Sequence, residues 1–502
     1  MINETKASQI SQDSQKQPQG QQTSTIPSRR ITHPTHHRGL KLRYAPVALI
    51  LSFIVIACNS TSQLDPSSIS QSHNESTALK IWWDKGSNLE EDEALLQVVS
   101  NWEKKSGNQV KLSFYTNDEL PEKTKRAIQA GYLPDIVMSS SAERELIPHL
   151  AWEGKLTDVS DVIEPLKNIY SETALEAVYF YNKLAKRRSY YAIPINQLTI
   201  HIHYWRDLLK QVGKSESDIP KDWDGFWTFW KQVQDDLQIQ QKDQQKKIYG
   251  LGFPVSIGAA DTYYTFEQIL EAYDVQIVDS QGKLRFGDPK VRQTIIKSLE
   301  WYAKFYQQGY VPPNAIKWLN PDNNRNLLNR TVIMTPNTTL SIPAAVRQNP
   351  DTYRNKLSTI AFPNKPSGKP MRYLVAVNAA IVFTESKNQK QAKDFLRYLV
   401  QPKIIGTYIK AAGGRYLPIM KPVWKDPFWT NPADPHLSTA SKALIGGLTR
   451  PFYFVRNPAY SLILQENVWG KALNRIVVDG ISPEQAADEA IARIQQIFDQ
   501  WQ

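Results

Sequence analysis

The chain has 502 residues and a formal net charge of +11 at pH 7, and 41% of its residues are hydrophobic. Lysine and arginine are scattered along the chain and form no basic stripe, which argues against a nucleic-acid-binding protein. The single cysteine excludes a fold held together by disulfides within the chain. The 445 residues after position 57 exceed what one hydrophobic core usually holds, so the sequence predicts two lobes.

The first feature along the chain is an apolar stretch at 45–57. Arg38, Lys41 and Arg43 precede it, and Cys58 follows it directly. This order is typical of an export signal, with a charged start, an apolar middle and a small-residue cleavage site. The position of the cysteine resembles the lipobox of bacterial lipoproteins, which implies that Cys58 carries a lipid in the mature protein.

These features divide the start of the chain into two segments. Residues 1–57 are predicted to be a leader and lipoprotein signal peptide, and 58–77, rich in serine, asparagine and glutamine, to be a flexible tether. A plain membrane anchor is the alternative, but the apolar stretch is shorter than the ~20 residues that a spanning helix needs. We therefore expect an exported protein, lipid-anchored to the cell envelope membrane on its periplasmic or extracytoplasmic face.

Five elements follow in the order strand, helix, strand, helix, strand. Apolar residues predict buried strands at 79–83 and 136–138, and polar and apolar residues alternate at 110–114 as in a half-buried strand. Between them, apolar residues recur at helical spacing from Leu95 to Trp102, and a second helix is predicted at about 121–130. This β-α-β-α-β order predicts a parallel sheet that is covered by helices.

Two later helices have clear start signals. Asp288 and Pro289 supply an N-cap and a first-turn proline for a helix that ends before Gly309. The sequence 482–485, Ser-Pro-Glu-Gln, predicts a capping box at the start of the last helix. Both helices carry one apolar face, so we expect them to pack on a core.

Several short motifs occur in order between residues 78 and 501. They are Ile81-Trp82-Trp83-Asp84-Lys85-Gly86-Ser87, Gly131-Tyr132-Leu133-Pro134-Asp135-Ile136-Val137, Tyr191-Ala192-Ile193-Pro194, Trp223-Asp224-Gly225-Phe226, Val332-Ile333-Met334-Thr335-Pro336-Asn337 and Gly413-Gly414-Arg415-Tyr416-Leu417-Pro418. In order and spacing they resemble the extracellular solute-binding proteins of ABC importers, in the family that includes the maltose-binding and other sugar-binding lipoproteins.

The resemblance implies an α/β, periplasmic-binding-protein-like fold. In it, two discontinuous α/β lobes are joined by a hinge, and the ligand cleft lies between them. The lobes are predicted at 78–195 plus 355–405 and at 198–352 plus 410–502. The resemblance further implies a monomer without cofactor or catalytic residue that captures a small-molecule solute, typically a sugar or oligosaccharide, and delivers it to the permease subunits of an ABC transporter.

The predicted cleft combines polar, charged and aromatic side chains. A sugar needs fixed polar partners for its hydroxyls and flat aromatic surfaces for its C–H faces. Capping and turn roles are the alternative for the serines and for the residues after Pro194. The resemblance places these residues at the ligand: Asp84, Lys85, Ser87, Ser139, Ser140, Ser141, Glu143, Asn196, Gln197, Asp261, Tyr263, Tyr264, Asn337, Thr338, Tyr373, Gly414, Arg415 and Tyr416.

Three other functions fit the sequence less well. Binding of ferric iron would need a tyrosine pair, but adjacent tyrosines such as Tyr190 and Tyr191 point to opposite faces of a strand. Binding of a polyamine would need carboxylates with few cations nearby, and Lys85 and Arg415 argue against it. An exported glycan-active enzyme would need two placed carboxylates, and no motif marks such a pair.

Some positions depart from the family pattern or have two interpretations. Sugar-binding members often carry a tryptophan near the position of Leu340, and some carry an aromatic residue at that of Ser139. His201 and His203 share a strand face and could begin a metal site, although such a pair is more often plain surface or core. Trp318 could stack on a ligand or belong to the core. These positions leave the identity of the solute open.

Overall fold

The computed structural model describes residues 78–240 and 247–501. The predictions for the leader, the tether and Cys58 lie outside the described residues. Within the described ranges, none of the helices combines the length and the apolar character that crossing a membrane requires.

Two larger sheets and one hairpin contain the strands of the described ranges. The strands are β1 (Leu79–Asp84), β2 (Val110–Tyr115), β3 (Ile136–Ser139), β4 (Tyr179–Asn182), β5 (Arg187–Tyr190), β6 (Ile193–Thr199), β7 (His201–Trp205), β8 (Tyr249–Leu251), β9 (Val332–Asn337), β10 (Leu357–Ile360), β11 (Arg372–Val382) and β12 (Leu448–Pro451). The hairpin consists of β4 and β5.

Helices make up much of the remaining described chain. The α-helices are α1 (Leu89–Ser106), α2 (Glu119–Ala130), α3 (Ala142–Glu145), α4 (Ile147–Trp152), α5 (Ser160–Ile163), α6 (Glu172–Glu176), α7 (Arg206–Gln211), α8 (Trp223–Gln240), α9 (Ala260–Ala272), α10 (Pro289–Gln307), α11 (Asp322–Leu328), α12 (Ser341–Ala345), α13 (Gln389–Leu399), α14 (Pro402–Ala411), α15 (Pro427–Thr430), α16 (Leu437–Ile445), α17 (Ala459–Gln465), α18 (Val468–Asn474) and α19 (Pro483–Asp499). Short 3₁₀ turns lie at Glu164–Ile169, Glu216–Asp218, Pro313–Lys317, Val423–Lys425 and Tyr453–Val455, and π turns at Thr352–Lys356 and Arg475–Asp479.

The first sheet contains the predicted β-α-β-α-β unit. Its order is β12-β11-β3-β1-β2, and β6 also pairs with β11. β1 runs parallel to both β2 and β3, which confirms the predicted parallel arrangement. Trp83 lies opposite Met138, so the carboxyl ends of β1 and β3 meet at one edge of the sheet. Polar residues that follow these strands therefore lie side by side.

The second sheet has the order β10-β7-β9-β8. The chain passes from the first sheet to the second between β6 and β7 and returns between β10 and β11. The segment 355–405, predicted for one lobe, thus contributes β10 to the second sheet and β11 to the first. The segment 410–502, predicted for the other lobe, contributes β12 to the first sheet. The lobe boundaries themselves remain predictions.

Three helix ends have clear local causes. Gly107 ends α1 in the left-handed conformation at φ 73°, a conformation that glycine adopts without the steric penalty of a side chain. Asp288 caps α10 by accepting a hydrogen bond from the backbone N–H of Lys290. Ser482 caps α19 by accepting one from Gln485. These caps confirm the predicted starts of the two later helices.

Candidate ligand-binding site

A cavity of about 470 Å³ is lined by residues from both sheets. The first sheet contributes Asp84 and Ser140 at its carboxyl edge, and the second contributes Asn337 at the end of β9. Small-molecule pockets have volumes of about 300–1,000 Å³, so a small solute fits. Eleven of the predicted site residues line this cavity: Asp84, Lys85, Ser87, Ser140, Ser141, Asp261, Tyr264, Asn337, Thr338, Arg415 and Tyr416.

Asp84 ends β1 with one carboxylate oxygen bonded and one free. Its Oδ2 accepts hydrogen bonds from the backbone N–H of Ser140 at 2.5 Å and from the Ser140 hydroxyl at 2.7 Å. Its Oδ1 is buried and has no hydrogen-bond partner among the described residues. Burial raises the pKa of Asp84, and the bonds from Ser140 and Ser139 and the charge of Arg415 offset part of that rise. Oδ1 is therefore an unsatisfied acceptor on a residue that lines the cavity.

The turn after β1 holds further charged groups. The ammonium of Lys85 pairs with Oδ2 of Asp92 at 2.6 Å. Oε2 of Glu91 accepts a hydrogen bond from the backbone N–H of Ser87 at 3.1 Å and lies 3.7 Å from Nη1 of Arg415. Burial raises the pKa of Glu91, and the charge of Arg415 opposes that rise. Predicted ligand residues and the first turn of α1 thus share one charged network.

Amides and hydroxyls form another part of the lining. Nδ2 of Asn337 donates to the carbonyl oxygen of Thr339 at 2.8 Å and to Oγ of Ser341 at 3.0 Å. Nδ2 of Asn324 donates to the same Ser341 hydroxyl at 2.9 Å. Among the residues that the structure describes, Oδ1 of Asn324 and Oδ1 of Asn378 are buried without a hydrogen-bond partner. Together with Asp84, they give the cavity three unsatisfied acceptors.

Two buried carboxyl groups lie at or next to the cavity. Oδ1 of Asp261 accepts a hydrogen bond from the hydroxyl of Thr338 at 3.3 Å, and burial raises its pKa to about 7. Oε1 of Glu143 accepts one from the hydroxyl of Tyr264 at 2.7 Å, and burial raises its pKa to about 7 as well. Nη1 of Arg144 donates to the same Tyr264 hydroxyl at 3.3 Å. For Glu143 the charge of Arg144 and the Tyr264 hydroxyl oppose burial without cancelling it, and for Asp261 the opposing partners are mainly neutral, so the burial penalty of both acids stays largely in place.

Three tyrosine rings also line the cavity. The hydroxyl of Tyr408 accepts a hydrogen bond from Nε1 of Trp83 at 2.8 Å, and that of Tyr416 accepts one from Nη2 of Arg415 at 2.6 Å. Tyr264 provides the third ring. Because these hydroxyls are bonded to the protein, the rings are held in place, as a surface that contacts the C–H face of a sugar must be.

Seven predicted site residues lie outside the lining: Ser139, Glu143, Asn196, Gln197, Tyr263, Tyr373 and Gly414. The hydroxyl of Ser139 accepts the backbone N–H of Ser141 at 3.2 Å in a local turn, and Ser141 itself is the N-cap of α3 without a capping bond from its side chain. Nε2 of Gln197 donates to the carbonyl oxygen of Pro418 at 2.5 Å. Asn196 acts indirectly, because its Oδ1 accepts a hydrogen bond at 2.7 Å from Asn378, which does line the cavity.

The two aromatic residues outside the lining, Tyr263 and Tyr373, make contacts within the protein. Tyr263 and Tyr264 lie inside α9, and adjacent helical residues point in different directions. Tyr263 is therefore buried in the core while Tyr264 lines the cavity. The hydroxyl of Tyr373 accepts the backbone N–H of Phe362 at 3.1 Å. A direct ligand contact of these residues remains a prediction without support from the cavity.

Trp318 and the histidine pair are buried. Trp318 is 2% exposed and belongs to the core, the second of its two interpretations. Nδ1 of His201 lies 3.0 Å from the carbonyl oxygen of Thr199, and burial lowers the pKa of His201 to about 4. His203 lies 2.8 Å from the hydroxyl of Thr359. Within the described ranges, no group of three or more His, Cys, Asp or Glu residues could hold a metal ion.

Other lining residues were missed by the sequence analysis. Those with strong chemistry are Glu91, Arg144, Asn324, Asn378 and Tyr408. Asn378 had a usable signal, since it is an amide in the middle of the apolar strand β11. Tyr408 had none, because its position at the cavity depends on how α14 packs against α1.

Comparison with known proteins agrees with this arrangement. A structure of an ABC transporter solute-binding protein from Thermotoga lettingae, bound with α-D-tagatose, is 22% identical, covers 84% of this chain and 99% of its own, and has a TM-score of 0.66. The sugar-binding protein MalE from Xanthomonas citri is 20% identical, with 84% and 98% covered and a TM-score of 0.63. UgpB from Mycobacterium tuberculosis, in complex with glycerophosphocholine, is 16% identical, with 84% and 99% covered and a TM-score of 0.64.

These likenesses confirm the predicted α/β, periplasmic-binding-protein-like fold. No curated protein sequence matches the chain. Residues 97–439 match the family described as bacterial extracellular solute-binding protein, whose members bind solutes. Because this match spans more than half of the sequence, the chain belongs to the bacterial extracellular solute-binding protein family.

Proposed function

We propose that this protein captures a neutral, polyhydroxylated solute, namely a sugar or oligosaccharide, and delivers it to the permease of an ABC importer. The observation that carries the proposal is the set of three unsatisfied acceptors at the cavity: Oδ1 of Asp84, Asn324 and Asn378. A buried acceptor without a partner costs about 1–3 kcal/mol. A ligand with several hydroxyl donors removes that cost at each position.

The charge of the cavity disfavours a cationic ligand. Three acidic and three basic side chains line it: Asp84, Glu91 and Asp261 against Lys85, Arg144 and Arg415. A polyamine or ferric iron would require an excess of carboxylates, since a buried cation must be neutralised. The three tyrosine rings add surfaces for the C–H faces of a sugar. Two of the structural relatives are described as binding a sugar, which supports the same ligand class.

The proposed mechanism is binding alone, without covalent chemistry. A ligand in this cavity touches residues of both sheets, so it stabilises a closed arrangement of the predicted lobes through its higher affinity for that arrangement. The closed, loaded protein then docks on the permease. A lipid on Cys58 and the tether 58–77 would keep a monomeric binding protein close to the membrane.

A thermal-shift screen of the full-length protein tests the ligand class. The panel contains mono- and oligosaccharides, polyols, glycerophosphocholine, polyamines and ferric citrate. A ligand at a hundred times its Kd stabilises the native state by about 2.7 kcal/mol. Asp84→Asn should weaken sugar binding about tenfold or more, because hydrogen bonds to charged groups contribute about 1.5–3 kcal/mol.

Asp158→Asn is the matched control. Oδ1 of Asp158 accepts hydrogen bonds from the backbone N–H of Ser160 at 3.0 Å and from its hydroxyl at 2.6 Å, as Asp84 does from Ser140, but Asp158 does not line the cavity. It should bind sugar like the wild type. Silence from every sugar together with a response to a polyamine or to ferric citrate would overturn the sugar proposal while leaving the family assignment intact.

A further inference from the structure

A second cavity, of about 450 Å³, shares no residue with the first. Two adjacent strands line it, with Lys80 and Trp82 from β1 and Lys111 and Tyr115 from β2. These side chains share one face of the sheet because alternate residues of a strand point to the same side. Helix α2 and the segment 132–134 complete its lining. We term this cavity the basic groove and define it by Lys80, Lys111, Lys123, Arg126, Trp82, Tyr115 and Tyr132.

The groove concentrates positive charge without compensation. Lys80 lies directly opposite Lys111 in the β1–β2 pair, and like charges at such positions destabilise a sheet. Lys123 and Arg126 are three residues apart on α2 and so share one helix face. Among the residues that the structure describes, no acidic side chain lines the groove, and none of these four cations forms an ion pair.

Aromatic rings lie directly beneath two of the cations. Nζ of Lys80 is 4.7 Å from the centre of the Tyr132 ring. Nζ of Lys123 is 5.1 Å from the ring of Trp82 and 4.7 Å from that of Tyr115. Tyr132 is 67% exposed, which leaves its ring open to a further contact. Cation–π contacts at exposed sites are weak, so an anion could draw both ammonium groups away from the rings.

We propose that the basic groove is a second ligand site, which binds a phosphate monoester that also contains a planar ring, as a nucleoside monophosphate does. A phosphate monoester has a charge of about −1.5 to −2 and three acceptor oxygens, which match several converging cations. The guanidinium of Arg126 can contact two of those oxygens at once. When the ammonium group of Lys80 moves to the phosphate, the ring of Tyr132 is uncovered. The ring of the ligand then stacks on it. The cations line a concave site, which a flat membrane surface does not enter.

Calorimetric titration of the full-length protein with adenosine monophosphate, inorganic phosphate and adenosine tests this site. Adenosine monophosphate should bind most tightly, inorganic phosphate more weakly, and adenosine not measurably. The double substitution Lys80→Gln with Lys111→Gln should weaken binding of adenosine monophosphate at least about tenfold, because charge-assisted hydrogen bonds are lost. Since it also removes a like-charge contact, its thermal stability should equal or exceed that of the wild type.

Tyr132→Ala tests the contribution of the ring to binding independently of the contribution of the positive charges. It should weaken binding of adenosine monophosphate several-fold and leave that of inorganic phosphate unchanged. Lys105→Gln is the matched control, since Lys105 lies 5.4 Å from the ring of Tyr398 but outside the groove. It should bind adenosine monophosphate like the wild type, and all variants should keep the sugar affinity of the first cavity.

Three outcomes would overturn the proposal. The first is no binding of adenosine monophosphate by the wild type. The second is binding that the double substitution leaves unchanged. The third is attachment to vesicles of phosphatidylglycerol through Lys80 and Lys111 without any binding of adenosine monophosphate, because the groove would then be a membrane contact.

Discussion

Buried carboxylates in two regions of this protein have pKa values that are shifted in opposite directions. Glu271 on α9 lies within 3.1 Å of cationic nitrogens from Lys365, Arg372 and Arg450. Burial alone would raise its pKa, but these cations outweigh burial and lower it below 4.5. Asp261, also on α9 but at the cavity, has a pKa raised to about 7, because burial dominates and its partners are mainly neutral.

The contrast separates a structural cluster from the candidate ligand-binding site. Around Glu271 the charged groups are already paired with one another, so few of them are available to bind a ligand. The cluster instead joins α9 to β11 and β12. Around Asp261 and Glu143 the acids are buried but underpaired, and that arrangement costs stability. Under-satisfied polar groups of this kind are expected where a ligand completes the bonding.

The largest effect is expected from Glu271→Gln. The substitution leaves buried Arg450 without its counter-charge, whereas Lys365 keeps Asp274 at 2.6 Å, and breaking such a buried pair costs about 3–5 kcal/mol of unfolding free energy. Urea denaturation at pH 8 measures it. Asp161→Asn is the control, since exposed Asp161 also bridges two cations, Lys393 and Arg397, and should cost less than about 1 kcal/mol. Equal losses in both variants would show that burial does not distinguish the Glu271 cluster.

An intermediate effect is expected from Asp261→Asn, and it should depend on pH. The pKa of Asp261 rises from 3.8 to about 7 on folding, so from about pH 4 to 7 the folded state holds a proton that the unfolded state has released. Its contribution to stability is complete below pH 3.8 and is lost as pH rises towards 7. At about 1.4 kcal/mol per pKa unit, the wild type should lose roughly 2 kcal/mol from this group between pH 5 and 7. The asparagine variant should not show this loss of stability.

The measurement is the difference in unfolding free energy between wild type and variant at each pH. Buried His201 and His436, with pKa lowered to about 4, act in the opposite direction, because they lose stability as pH falls below 6.5. Subtraction cancels their contribution. Asp351→Asn, at an exposed carboxylate with lowered pKa, should show a constant difference above pH 5. A constant difference for Asp261→Asn as well would mean that Asp261 is ionised throughout.

The start of the fold could be predicted because each element shows its own period. The alternation in β2 and the apolar stripe of α1 both appear in the sequence. The second sheet could not be assembled in the same way. β7 and β9 are buried on both faces and so lack alternation. β10 pairs with β7 although Leu357 and Trp205 lie far apart along the chain, a pairing that local patterns do not encode.

The site could be predicted where residues follow a strand directly. Asp84, Ser140 and Asn337 reach the cavity because strand ends meet at the edge of a sheet. Asn196 lies at an equally plausible position after Pro194, yet its side chain bonds inward to Asn378. Packing decides which of the two amides, Asn196 or Asn378, faces the cavity. The sequence pattern is the same in either case.

The smallest effect is expected from Tyr264→Phe, because it removes a hydroxyl and no charge. This hydroxyl donates to Oε1 of Glu143 at 2.7 Å and accepts from Nη1 of Arg144 at 3.3 Å, so its loss should cost about 1 kcal/mol in urea denaturation. The Tyr264 bond lowers the pKa of Glu143, so that pKa should rise further in the variant.

The matched control for Tyr264→Phe is Tyr310→Phe. The exposed Tyr310 hydroxyl also donates to a carboxylate, Oδ2 of Asp235 at 3.2 Å, and its removal should cost less than about 0.5 kcal/mol. A loss for Tyr264→Phe as large as that for Glu271→Gln would mean that one neutral hydroxyl, beside the charge of Arg144, stabilises Glu143 as strongly as three cations stabilise Glu271. The cavity acids would then be fully satisfied without a ligand, and the distinction between the two buried groups would fail.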